Sequence, residues 1–275
     1  YGCNRGKTGL RADLKTPEGI AAVKALVAEA DIFIENFKVG GLAKYELDFE
    51  SLRALNPRLI YCSVTGFGQS GPLSHRPGYD FLLQGMSGLM SVTGEPGSSP
   101  QKVGVAVTDI VTGLYGTIGI LSAVQQRHTT GKGQHIDMSL LDCATAMMAN
   151  QNMNYLATGQ SPTRAGNAHP NICPYDVFET ADGHIILAVG NDGQFQRCCD
   201  VLGLSWIAKD PQFESNQQRV KHRKELMKTL AKAVLTWPSE DLLAEMSSNM
   251  VPAGPINSVG ENLTSEHAIA RGLVI

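Results

Sequence analysis

A single carboxylate in an apolar setting is the first residue whose placement suggests chemistry. In the stretch GKGQHIDMSLLDCATAM, Gly131 to Met147, Asp142 is flanked by Leu140, Leu141 and Cys143. Gln134 to Met138 reads as a short strand. The residues after it read as a helix with apolar or small residues on most sides, which puts Asp142 in the first helical turn. An unpartnered carboxylate is costly to bury, and two uses would justify that cost. Ser139, three residues earlier, forms a capping-box pattern with Asp142, in which the acidic side chain helps satisfy the helix start. The positive end of the helix dipole also keeps such a carboxylate ionised where water is scarce, and an ionised, partly desolvated carboxylate is what a covalent carboxylate catalyst needs. The two readings are compatible.

Other side chains narrow the chemistry mainly by exclusion. The chain has no G-x-G-x-x-G for a dinucleotide site, no G-x-x-x-x-G-K-[ST] phosphate loop, no G-x-S-x-G elbow and no H-E-x-x-H zinc motif. His222 lies in the charged run RVKHRKE and reads as part of a solvated face. Arg5, Lys7, Arg11 and Lys15 cluster near the start, where a basic group is either simply exposed or neutralises phosphate. Lys38, Lys44 and Arg76 fall in or beside loops that follow strands, a better place for a phosphate contact. The six cysteines show no C-x-x-C spacing and several sit in apolar segments, so buried thiols in a reducing cytoplasm are expected, without disulfides or a metal site.

Composition sets the outer limits. The chain has 275 residues, 43% apolar and 18% charged, with a formal charge of -3. That suits a globular protein with a sizeable core and supplies no electrostatic reason for nucleic acid or a membrane surface as partner. No unbroken apolar run approaches the roughly 18–20 residues of a spanning helix, and no signal-peptide pattern occurs. The chain begins at YGCNRGK without an initiator Met and stops at GLVI inside an apolar run, so a fragment or trimmed chain is expected.

The elements that must position these residues alternate early. TPEGIAAVKALVAEA, Thr16 to Ala30, has a Thr N-cap, Pro at the first helical position and Ile20, Val23 and Val27 on one face. Asp31 to Phe37 follows as a short buried strand. A second helix around FESLRALNP precedes a second strand, Arg58 to Gly68. Two helix-then-strand units argue for an α/β fold with a parallel sheet, whose ligands bind at the carboxyl ends of the strands. GYDFLLQGMSGLMSVTG reads as one helix, and Thr108 to Gly131 as a longer, buried central helix rich in Gly and Ala. Beyond about residue 172 the character changes: a hairpin around Asp182-Gly183, a polar helical region, then the Gly/Pro-rich VPAGPIN. The stretch 157–171 reads as a linker.

Several stretches together resemble the family III CoA-transferases, the group containing formyl-CoA transferase and carnitine CoA-transferase. They are NRGKTGLRADLKTPEG, ADIFIENFKVGGLAK, LNPRLIYCSVTGFGQSGP, RPGYDFLLQGMSGLMSVTG, TGKGQHIDMSLLDCA and GNAHPNICPYDVF, with VPAGPINSV near residue 255. The resemblance implies a Rossmann-like large domain with a parallel sheet (1–156, CoA-binding), the linker 157–171, a smaller α+β domain (172–259) and the start of a return segment (260–275). It implies transfer of CoA between carboxylic acids, with no prosthetic group and with acyl-CoA and small acids as partners. The family's catalytic aspartate lands on Asp142. Its carboxylate attacks the thioester to give a mixed anhydride and CoA thiolate, the thiolate then forms an aspartyl-CoA thioester, and the acceptor acid reverses the sequence. The family's CoA contacts map onto Lys15, Asn36, Phe37, Lys38, Lys44, Arg76, Tyr79 and Asp80. Gly166, Asn167 and His169 match a mobile loop over the active site, though GNAHP is less glycine-rich than in formyl-CoA transferase.

The resemblance has departures and rivals. Family members begin with a further strand and helix and return to the large domain at the end, and they form interlocked homodimers; the ring is an expectation for a full-length chain only. α-Methylacyl-CoA racemases share the fold but carry G-H-D, where this chain has Gly78-Tyr79-Asp80, and tyrosine is a poor base at neutral pH. A truncated, inactive homologue is the other alternative. Short dicarboxylates, with succinyl-CoA as donor, are the expected substrates.

Overall fold

The computed structural model describes residues 2–274. Tyr1 and Ile275, the outer limits of the expected domain ranges, lie outside the described residues. Two compact units are present, one up to Arg164 and one from Ala165 onward.

The first unit builds its elements largely from local signals. Helix α1 (Pro17–Glu29) starts at Thr16, whose hydroxyl accepts the Gly19 N–H at 3.1 Å, and Pro17 occupies the position that needs no N–H donor. Strand β1 (Ile32–Glu35) follows, then α2 (Phe49–Leu55) capped by Asp48, and β2 (Ile60–Thr65). Helices α3 (Asp80–Met86), α4 (Leu89–Val92) and α5 (Val107–Thr130) lead to β3 (His135–Ser139), α6 (Leu140–Met147) and α7 (Ala149–Thr158). The three strands pair in the order β1-β2-β3, all parallel, with Ile34 beside Cys62 and Cys62 beside Ile136. Val27, Leu52, Leu59 and Tyr61 form a core under α1 and α2.

Three expectations for this unit are corrected. Strand β1 is not buried: it is the edge of the described sheet, and Ile34 is 60% exposed. The helix expected through GYDFLLQGMSGLMSVTG is broken between α3 and α4 at Gly88, whose φ of +92° is outside the helical region. Helix α5 is not a buried central helix. Its packed stripe is Thr108, Thr112, Gly116, Ala123 and Arg127, while Ile110, Leu114, Ile118 and Leu121 are exposed. The small residues let the helix lie close to the sheet: a Cβ on Gly119 would already be in van der Waals contact with Ile136 of β3 at 3.4 Å. By length and average composition α5 is also apolar enough to cross a membrane. Interspersed Gly and Thr break up its apolar runs, and the run-based expectation therefore misses it.

The second unit is an antiparallel sheet with helices. Strands β4 (Tyr175–Glu179) and β5 (His184–Ala188) form the hairpin, joined by a turn in which the Thr180 N–H donates to the Gly183 carbonyl. Helices α8 (Asp192–Val201), α9 (Asn216–Lys221), α10 (Arg223–Val234) and α11 (Ser239–Ser248) precede β6 (Ala253–Pro255), which pairs with β5 from within VPAGPIN. Helices α12 (Val259–Thr264) and α13 (Glu266–Ala270) end the unit. Phe178, Ile185, Phe195, Leu226 and Leu242 belong to its core. Arg219 is buried in this core without loss of hydrogen bonding: it donates to Asp192 at 2.6 Å and to the Cys173 carbonyl at 2.8 Å and stacks over Phe195. His222 is half-buried at the α9–α10 junction, edge-on to Phe213, where a solvated face was expected.

One close approach in the first unit positions everything that follows. A Cβ on Gly66 would lie 2.5 Å from the Gly78 Cα, and a Cβ on Gly78 equally close to the Gly66 Cα. The loop that leads into α3 can lie across the end of β2 only because both residues are glycine. Gly66→Ala and Gly78→Ala should each lower stability by about 1–3 kcal/mol through forced backbone separation. Urea denaturation checks this, and an unchanged midpoint in both variants would contradict it.

Candidate active site

The carboxyl end of the parallel sheet carries a cavity of about 600 Å³ in the first unit. The Glu35 carboxylate accepts the Phe37 N–H at 2.7 Å, turning the chain at the end of β1 so that Asn36, Phe37 and Lys38 line one side. Ile34, Cys62 and Val64 of β1 and β2 contribute apolar lining. The loop held by the Gly66–Gly78 approach adds His75, Arg76 and Tyr79. The first turns of α5 bring Asp109, Thr112, Gly113 and Gly116. Arg76 lies over the Phe67 ring at 5.8 Å. Lys38 and Arg76 thus offer cationic groups to an anionic ligand, and Tyr79, 77% exposed, and Phe37 offer ring faces.

Two carboxylates at this cavity have opposite environments. Burial works against ionisation of Asp80, but hydrogen bonds from Thr108 and Gln84 and from the Thr108 and Asp109 backbone outweigh it and hold the carboxyl below its ordinary range. The Thr108 N–H donates to Asp80 Oδ1 at 2.8 Å, the Thr108 hydroxyl donates to the same oxygen, and Gln84 Nε2 donates to Oδ2 at 2.7 Å. Asp109 has no such support. Among the described residues nothing donates to its carboxylate, and burial together with the Asp80 charge pushes its carboxyl upward. The nearby thiols are poor nucleophiles: burial, then Glu35 and Asp137, raise Cys62 to about 11. Burial also raises Cys143, against an opposing bond from Thr112. Cys62, Cys143, Cys173, Cys198 and Cys199 are all free and buried.

Of the residues singled out in the sequence, the cavity gathers Asn36, Phe37, Lys38, Arg76, Tyr79 and Asp80. Asp80 lines the cavity with both carboxylate oxygens engaged by protein donors. Lys15 and Lys44 do not line the cavity; Lys15 is exposed in a turn with Asp13, and the Lys44 ammonium lies 4.7 Å over the Tyr45 ring. Asp142 is not among the residues lining the cavity. It is exposed, not partly desolvated, and α6 contributes Leu140 to the cavity lining instead. Only half of its capping box forms: Ser139 Oγ accepts the Asp142 N–H at 3.2 Å, without the reciprocal bond. Gly166, Asn167 and His169 belong to the second unit. There the His169 N–H donates to the Tyr175 carbonyl and Arg223 donates to the His169 carbonyl at 2.7 Å, so movement of this segment would break both bonds. Among the described residues no cluster of three His, Cys, Asp or Glu side chains could hold a metal ion.

The sequence reading missed Asp109, Thr108 and Gln84. A signal existed: Asp109 is the first-turn acid of the longest helix, with Gly113 and Gly116 opening space beside it. Asp142 drew attention because its flanks are more apolar, yet flanking residues on a helix point in other directions and do not desolvate it.

A family model described as CoA-transferase family III matches residues 1–275. The chain is 56% identical over 273 residues to a protein of Agrobacterium fabrum named succinate–glutarate CoA-transferase, covering 99% of this chain and 68% of that one. It is 38% identical over 272 residues to the Mus musculus succinyl-CoA:glutarate CoA-transferase, covering 99% of this chain but 62% of the relative. A crystallised CAIB/BAIF family protein from Brucella suis is 55% identical with a TM-score of 0.86, over 99% of this chain and 72% of that one.

The two carboxyls should separate in a titration followed by carbon NMR, Asp109 above the ordinary aspartate midpoint of about 3.9 and Asp80 below it. Asp80 then stabilises the fold fully above the unfolded value, and this contribution is lost as pH falls through its lower folded value. Asp80→Asn should accordingly flatten the acid side of the stability profile. Coincident midpoints for the two residues would contradict the assignment.

Proposed function

The chain belongs to CoA-transferase family III, and from that premise we propose that it moves coenzyme A from succinyl-CoA to a short dicarboxylic acid such as glutarate. The observation that carries the site assignment is the unpartnered Asp109 carboxylate at a cavity that also presents Lys38 and Arg76. The relatives named for glutarate support the substrate class.

In this reading Asp109, not Asp142, is the nucleophile. Its carboxylate oxygen attacks the succinyl-CoA thioester carbonyl, the C–S bond breaks, and a mixed anhydride and CoA thiolate result. The thiolate attacks the aspartyl carbonyl, releasing succinate and leaving an aspartyl-CoA thioester. The acceptor carboxylate attacks that carbonyl and expels the thiolate again, which takes the acceptor's acyl group and returns Asp109 as carboxylate. Lys38 and Arg76 meet CoA phosphates, and Asn36, Phe37 and Tyr79 meet its uncharged parts. We further infer a homodimer for the whole protein: the apolar face of α5 (Ile110, Leu114, Ile118, Leu121) is the kind of surface a partner subunit covers.

Asp109→Ala should abolish exchange of labelled CoA, whereas Asp142→Ala should keep most turnover. Borohydride added after succinyl-CoA should modify Asp109, as read by peptide mass spectrometry. Modification of Asp142 instead would overturn the assignment. For binding, Lys38→Ala and Arg76→Ala should each weaken CoA affinity by about 1–3 kcal/mol through lost charge-assisted hydrogen bonds. Calorimetry should find smaller losses for Lys15→Ala and Lys44→Ala, and equal losses in all four would disprove the proposed phosphate contacts.

A further inference from the structure

We infer that Asp80, Gln84 and Thr108 form a positioning clamp that sets the first turn of α5 and presents Asp109 to the substrate; the inference rests on the reading of Asp109 as nucleophile. Helix α5 begins at Ala106, which has no side chain able to cap it. A cap would accept the N–H groups of the second and third helical residues, here Thr108 and Asp109. Asp80 supplies that acceptor from α3: its Oδ1 takes the Thr108 N–H at 2.8 Å and the Asp109 N–H at 3.4 Å. The nucleophile's own backbone is therefore bonded to the Asp80 carboxylate.

Gln84 and Thr108 are both 0% exposed, a costly burial for polar side chains unless their bonds are made. Their bonds all serve this corner. Gln84 Nε2 donates to Asp80 Oδ2 at 2.7 Å and to the Val105 carbonyl at 3.4 Å, and its Oε1 accepts the Val103 N–H at 2.9 Å. The segment entering α5 is thereby tied to α3 on both sides of Asp80. The Thr108 hydroxyl completes the clamp on Oδ1. A purely structural cap would need no charge beside the nucleophile. Here a second, firmly ionised carboxylate stands next to Asp109, and its repulsion is relieved each time Asp109 becomes a neutral anhydride or thioester. The same repulsion makes the Asp109 carboxylate more basic and a better nucleophile. With its oxygens taken by Thr108, Asp109 and Gln84, Asp80 acts here as a positioning residue.

Asp80→Asn is the direct test, because it keeps shape and removes charge. Its new amide would face the Gln84 amide, donor to donor, and the double variant Asp80→Asn/Gln84→Glu restores the pairing. Activity depends on ionised Asp109 and rises with pH through its midpoint. The other titratable groups at this end of α5 are Lys38, His75, Arg76 and Tyr79 at the cavity, Cys62 from β2, and Asp142 and Cys143 from α6; none is substituted in the variant. D80N should lower kcat about tenfold with KM for succinyl-CoA little changed, and should move the acid midpoint of kcat/KM down, because the Asp80 charge that raises Asp109 is gone. The double variant should recover part of kcat. Thr108→Val keeps the charge and the side-chain shape, so it decides the positioning role even where D80N folds poorly: kcat should fall several-fold at constant KM. Native kcat in T108V, or an unmoved acid midpoint in folded D80N, would overturn the clamp while borohydride trapping on Asp109 left the nucleophile assignment standing. Trapping on any other residue would overturn the nucleophile assignment and the clamp with it.

Discussion

The Asp80 carboxylate accepts hydrogen bonds from the backbone of Thr108 and from the side chains of Thr108 and Gln84, and these bonds join the start of α3 to the start of α5. The arrangement of the cavity depends on that junction. Asp80 is where it is because Gly66 and Gly78 let two backbones approach closely at the end of β2. Leu83 of α3 then packs with Phe67 and Leu140, which brings α3, the end of β2 and α6 into one small core beneath the cavity. At the far end of α5, Arg127 donates to Asp31 at 2.8 Å and to the Arg58 carbonyl at 2.9 Å, where β1 and β2 begin. Helix α5 is thus held at both ends by charged groups and along its length by small residues.

This mode of attachment explains why α5 turns its large apolar residues away from the sheet. Close approach excludes bulky side chains, so Thr112, Gly116 and Ala123 face inward and Leu114, Ile118 and Leu121 remain outside. Exposed apolar surface of this kind is unfavourable in water, and its position on the helix that carries Asp109 links the proposed subunit contact to the proposed chemistry. Any partner covering that face would also limit the freedom of the helix that carries Asp109.

The charges around the cavity are sorted by environment. The carboxylate that is fully hydrogen-bonded, Asp80, stays ionised and serves structure, whereas the bare one, Asp109, is raised and left available. Lys38 and Arg76 come from loops at the carboxyl ends of the strands, where cations on short loops can meet a phosphate-bearing ligand. The buried thiols, by contrast, are pushed toward the neutral form.

What could be read directly from the sequence was local. The Thr16 cap and Pro17 start of α1, the helix-then-strand units and the turn before His184 depend on residues near one another in the chain, whereas Asn36, Phe37 and Tyr79 were marked only through the family resemblance. Burial and partnership were not local. Whether β1 is covered depends on what lies beside it, and which face of α5 packs depends on the glycines that meet β3. Asp142 and Asp109 are both first-turn acids; only the tertiary structure distinguishes them. Both are exposed side chains, but it brings only Asp109 to the cavity beside Asp80, which is 29 residues away in sequence but bonded to the same helix start. Local patterns set conformation through nearest neighbours, whereas desolvation and hydrogen-bond partners are settled by contacts between distant segments, and those contacts decide which carboxylate lines the cavity.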